Sequence, residues 1–224
     1  MFEPLMEWRD LKNRSDIHLA RKIWHLTTVS MMFFIFEAAS YQVSTLLLAA
    51  GFVLFISVDF LRQKFEKLNQ FSVTLMGPLM RDQELKGIAG TTYLLTGVLL
   101  IVLVFPKPIV SLSILFLAFA DPIASYVGIR FGKDKILGGK TIQGFLAAFV
   151  VCLVLTFIYL NSSGLSLSRH LVVSIIAGLI GAFAELLPIA KLDDNLTMPI
   201  LSAVGLSVLF YLFNITDQLT MISP

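Results

Sequence analysis

Polar residues in this chain are gathered into short stretches, and the long intervals between them are apolar. Seven such intervals stand at about 23–40, 42–61, 88–105, 109–129, 142–160, 171–190 and 196–213. Each approximates the ~20 residues a helix needs to cross about 30 Å of hydrocarbon. Ahead of them residues 1–22 are polar, with Leu5, Trp8 and Leu11 spaced as on one helical face, which predicts a short helix at the membrane surface. The connections are short except 62–87, and no internal repeat or low-complexity tract divides the chain. The pattern predicts an all-α, polytopic membrane protein: an N-terminal cytoplasmic or interfacial segment (1–22) and a single transmembrane domain (23–224).

Composition sharpens this reading. Of 224 residues 57% are hydrophobic and 14% charged, which excludes a soluble domain with a large core and gives no reason to expect a nucleic-acid partner. The net charge of +2 says little, but the placement of the cations says more. Apart from Lys107 and Arg169, every Lys and Arg falls before the first interval, in 62–87, in 130–141 or at Lys191. Seven spans with a cytoplasmic N-terminus put all of these on the inner side, as the positive-inside rule requires. Glu3, Glu7, Asp10 and Asp16 argue against a signal or transit peptide. The single cysteine, Cys152, lies in an apolar run, so neither a disulfide framework nor a cysteine metal site is available.

Four polar clusters carry candidate chemistry. In Arg21-Lys22-x-x-His25, Arg21 and His25 share a helical face, so they either snorkel beside Trp24 or point inward as a donor pair. In the second, Arg81 and Glu84 offer a local pair, or Arg81 a bidentate grip on phosphate, ahead of Lys86-Gly87 and Gly90-Thr91-Thr92. The third runs from Phe119 to Gly144. A carboxylate at membrane depth, Asp121, costs roughly 2.5–3.5 kcal/mol and so calls for a partner or a task. Pro122 predicts a kink or break in that helix. The loop beyond it holds Arg130, Lys133, Lys135 and Lys140 among Gly132, Gly138 and Gly139, a composition suited to a polyphosphate. Gly139-Lys140-Thr141 looks like the end of a P-loop, but Asp134 stands where that pattern needs glycine and no strand precedes it. The fourth cluster is Glu185-Leu-Leu-Pro188 followed by Asp193-Asp194-Asn195. Its oxygens suit Mg²⁺ shared with phosphates, or else Asp194 or Asn195 caps the last helix. Glu37 and Asp59, near span ends, are expected to be solvated.

Taken together and in this order, RKIWH, LMRDQELKGIAGTTYLL, ADPIASYVGIRFGKDKILGGKT and AELLP…DDNLTMP resemble the family of dolichol kinase, phytol kinase and CTP-dependent diacylglycerol kinase, from about Arg21 to Pro199. The chain departs from the family's pattern at Ala120, where glycine is usual, and at Gln143, where glutamate is usual; the second swap removes Gln143 from the candidate catalytic groups. The resemblance implies an integral membrane enzyme, its site facing the cytoplasm, that moves the γ-phosphoryl of CTP to a lipid alcohol with a divalent cation. The expected roles are Asp121, with His25 and Arg81, in catalysis, and Lys133, Lys135, Gly138, Gly139, Lys140 and Thr141 on the nucleotide. Asp193, Asp194, Asn195 and Asp121 are expected on Mg²⁺, supported by Arg21, Lys22, Glu84 and Glu185. Two competitors remain: cytidylyl transfer to phosphatidic acid, whose usual signature is absent, and a transporter, whose polar groups would sit near mid-bilayer in matching halves.

Overall fold

The computed structural model describes residues 19–85, 87–162, 170–189 and 192–215. It is 87% helical, with no strand among the described residues. The helices are α1 (Leu19–Ala38), α2 (Tyr41–Lys64), α3 (Glu66–Met76), α4 (Gly90–Val104), α5 (Lys107–Leu115), α6 (Asp121–Phe131), α7 (Ile142–Ser162), α8 (His170–Leu186) and α9 (Asp194–Leu212). α5 and α6 are joined by a π-helical turn, Phe116–Ala120, into one continuous helix of 25 residues. That helix, α2, α7 and α9 are long and apolar enough to cross a membrane, and α4 and α8 are shorter apolar helices. The expected interfacial helix carrying Leu5, Trp8 and Leu11 lies outside the described residues, as do Lys86, Arg169 and Lys191.

The long α5–α6 helix is the axis of the bundle. Its residues from Ile109 to Leu117 are buried, and it touches α1, α4, α7, α8 and α9. Peripheral helices turn apolar side chains outward instead, as Leu46, Val53 and Leu54 of α2 and Leu103 and Val104 of α4 do. An apolar exterior is the surface a bilayer covers.

Three expectations are corrected here. Pro122 does not break the helix: the wide turn at Phe116–Ala120 precedes it and α6 continues to Phe131. The stretch 62–87 is not a plain loop, because α3 takes up 11 residues of it; Leu68, Phe71 and Leu75, spaced by three and four, are the signal for that helix. And the first helix, described from Leu19, takes in Arg21 and Lys22, which stand just ahead of the apolar interval expected from about 23.

Candidate active site

The site is assembled where the loop between α6 and α7 meets the end of α8 and the start of α9. Gly138 and Gly139 take φ of +60° and +80°, which L side chains rarely adopt, and so allow a tight turn. Its arms are tied by Ile136 N–H to the Lys140 carbonyl (2.7 Å) and Ile142 N–H to the Asp134 carbonyl (3.1 Å). The turn sends Lys140 towards α8. Its Nζ lies 3.0 Å from Glu185 Oε1 and 3.3 Å from Asp194 Oδ2, and it donates to the Glu185 carbonyl. Burial pushes the Lys140 ammonium down, but Glu185, Asp194 and Asp121 outweigh burial and hold it above its ordinary range. Asp121, at the start of α6, is thus among the carboxylates whose charge acts on Lys140.

Beside it, Asp193 caps α9: one carboxylate oxygen accepts the Asn195 N–H at 3.0 Å, the other accepts from Arg81 at 2.8 Å. The cap is thus Asp193, not Asp194 or Asn195. Arg81 does not pair locally with Glu84, as its spacing had suggested; it reaches across to α9, and Glu84 pairs with Arg21 at 2.9 Å. Arg21 also donates to the Leu79 carbonyl, 2.9 Å away.

α1 supplies two further groups on its inward face. Lys22 donates to the Ser125 hydroxyl at 2.5 Å, on the first turns of α6. His25 Nε2 is 2.9 Å from the Leu117 carbonyl and 3.9 Å from Asp121 Oδ2. Because a carbonyl only accepts, Nε2 carries the proton. Leu117 is five residues before Pro122, which has no N–H to give, so His25 supplies the donor that the proline withholds.

Gly90, the first residue of α4, closes the arrangement. A Cβ there would stand 2.8 Å from Arg21 Nη2, 3.1 Å from Asn195 Nδ2 and 3.3 Å from Glu84 Oε1, so a larger residue would push on the side chains that meet there. Asn195 is buried with its amide directed at the Gly90 carbonyl (3.4 Å).

Not every expected residue joins. Lys133 and Lys135 are exposed and form no ion pair among the described residues. Thr141 is buried, and its hydroxyl accepts the Gly144 N–H at 3.2 Å at the start of α7. Gln143 accepts the Lys133 N–H, a structural use of the residue that stands in place of glutamate. Among the described residues no group of three or more His, Cys, Asp and Glu forms a metal-holding set. Asp193 is engaged by Arg81 and by its cap, and Asp194 by Lys140.

Asp59 corrects another expectation. It is buried, not solvated, and accepts from Arg62 Nε (2.6 Å), the Ala89 N–H (2.9 Å) and the Thr92 hydroxyl (2.6 Å). Asp59 and Arg62 lie three apart on a helix, a spacing the sequence displays, but Lys64 and Lys67 nearby read as an ordinary basic span end. Glu37, at the far end of the bundle, is half-buried, 3.4 Å from Lys107 and bonded by the Ser111 hydroxyl.

Neither a family model nor a solved structure matches the chain. Curated relatives do. CTP-dependent diacylglycerol kinase 1 of Schizosaccharomyces pombe is 29% identical over 210 residues, covering 88% of this chain and 95% of that protein. CTP-dependent diacylglycerol kinase 1 of Saccharomyces cerevisiae is 22% identical, covering 87% and 74%. Dolichol kinase of Saccharomyces cerevisiae is 27% identical over 84% of this chain, which spans 36% of that longer protein. The chain is similar to these lipid kinases over most of its length.

Proposed function

We propose that this protein transfers the γ-phosphoryl group of CTP to the hydroxyl of a membrane lipid, at a site facing the cytoplasm in a seven-span protein. The observation that carries the proposal is the gathering of Arg21, Lys22, Arg81 and Lys140 with Asp121, Glu185 and Asp194 at one end of an apolar bundle. That is where a nucleotide from water and a lipid from the bilayer meet. The Lys and Arg bias between the two sides of the chain favours the cytoplasm for this end. Diacylglycerol is the first lipid to try, since the relative covered to 95% is named for it; dolichol and other polyprenols follow.

Phosphoryl transfer asks a protein for positioning and charge neutralisation more than for covalent chemistry. Arg81 and Lys140 rest on carboxylates here, and phosphate oxygens compete for the same donors. Lys22 and Arg21 widen the positive wall on the α1 side. Asp121 is the proposed base. As the lipid hydroxyl oxygen bonds to the γ-phosphorus, the bond to the bridging oxygen breaks, CDP leaves, and the hydroxyl proton passes to Asp121. His25, whose Nε2–H is held by the Leu117 carbonyl, fixes the turn on which Asp121 stands. The donor set fits Mg²⁺ held in the usual way, by one or two carboxylates with phosphates and water, and Asp194 and Asp121 would be those carboxylates. Once bound, the ion neutralises phosphate charge.

The test is label transfer by purified protein in phosphatidylcholine vesicles with a panel of lipid alcohols and, separately, phosphatidic acid. Label passing from the γ-position of CTP into a lipid alcohol supports the proposal. Label entering lipid from the α-position replaces it with cytidylyl transfer.

A further inference from the structure

We infer that Asp59 and Arg62 are positioning residues for the nucleotide site, holding the backbone of 84–92 so that Arg21 keeps its place beside α9; this rests on the kinase reading above.

The inference comes from where the donors and acceptors of this pair go. Arg62 is 2% exposed and Asp59 4%, so neither charge is solvated. Nε of Arg62 bonds Asp59, Nη1 reaches Asn69 Oδ1 (3.2 Å) and the Leu85 carbonyl (3.4 Å), and Nη2 donates to the carbonyls of Glu84 (2.8 Å) and Gly87. The second oxygen of Asp59 takes the Ala89 N–H and the Thr92 hydroxyl. Two residues one turn apart on α2 thereby hold both ends of a single loop. A buried ion pair is weak evidence for stability by itself, because desolvating two charges offsets their attraction. Its specificity here lies in the loop it grips. From that loop the Glu84 side chain goes to Arg21, and at its end Gly90 lies against Arg21 and Asn195. Displacing the loop moves Arg21, which has its other bond to the Leu79 carbonyl of the same connection. Among the described residues no hydrogen bond or ion pair joins Asp59 or Arg62 to the Lys140 cluster, so both act through Arg21.

Arg62→Lys keeps the charge but replaces a planar fork by a point donor that cannot reach the Glu84, Leu85 and Gly87 carbonyls together. Assayed in phosphatidylcholine vesicles containing diacylglycerol, it is expected to raise KM for CTP about tenfold and to leave KM for the lipid within about twofold. Thr92→Val removes one bond to Asp59 and should raise KM for CTP about twofold to threefold, the scale of a single neutral hydrogen bond. The two-residue variant Arg62→Lys with Arg21→Lys should lose less than the product of the separate effects, because both changes act on one contact. Unchanged KM for CTP in Arg62→Lys, or effects that multiply fully, overturns the inference and leaves the pair a scaffold only. If Arg62→Lys does not fold, Thr92→Val decides: a wild-type KM for CTP with a lowered melting temperature overturns it. A wild-type protein that transfers no γ-phosphoryl from CTP overturns the kinase reading itself, a different result from an active protein whose variants bind CTP normally.

Discussion

Two sets of ion pairs lie towards the same end of the bundle, and they are built differently. Asp59 and Arg62 are shut away from solvent, and each polar atom of the pair that the loop can reach is bonded to it. The Lys140–Glu185–Asp194 and Arg81–Asp193 pairs are partly open, and Arg81 is 38% exposed at its side chain. A saturated buried pair holds one geometry. An open pair with spare donors can exchange its carboxylate for a phosphate. The difference separates framework from working surface, although both use the same residue types.

The comparison breaks most visibly at Asp59. Asp59→Asn strands the Arg62 charge in a dry site, and a fall in stability of about 3–5 kcal/mol is expected, measured as loss of folded protein on heating in detergent. Lys140→Met is next. It removes a charged donor from the proposed phosphate site, an effect of about 10- to 100-fold on kcat/KM for CTP, read from initial rates. Arg81→Ala should cost about tenfold in KM for CTP, while its exposed pair with Asp193 changes stability by less than about 1 kcal/mol. The smallest expected effect is in the double variant Lys133→Ala with Lys135→Ala, within about threefold on kcat/KM, since both lysines are exposed and unpaired among the described residues.

A fifth prediction uses the raised affinity of Lys140 for its proton. A lysine held above its ordinary value keeps its charge, and whatever stability it lends, until pH climbs through that raised value; the contribution is full at lower pH. At pH 8–9 an amine-reactive reagent should therefore modify Lys133 and Lys135 well before Lys140, as followed by mass spectrometry.

The fold was legible where apolar runs were long, because hydrocarbon demands length and composition together and few other structures satisfy both. Part of the candidate site was legible for a related reason: Asp121 and Glu185 stand inside apolar runs, where charge is expensive. Partner choice was not. Arg81 and Glu84, three apart, match a local pair, yet each bonds a residue more than 60 positions away, because α1 and α9 bring Arg21 and Asp193 to them. Asp59 looked solvated because its burial depends on α4 and the 84–89 backbone closing over it, which no local pattern expresses. The π turn before Pro122 was equally hidden: the carbonyl it frees is met by His25, 92 residues distant.

The central claim is that Asp121 receives the lipid hydroxyl's proton at this end of the bundle. Transfer of the γ-label of CTP to diacylglycerol by Asp121→Asn, set beside CTP binding and melting of the same preparation, tests it most directly. The account predicts a rate lowered by about 10²- to 10⁴-fold with folding and CTP binding retained; a variant that transfers label at the wild-type rate contradicts it.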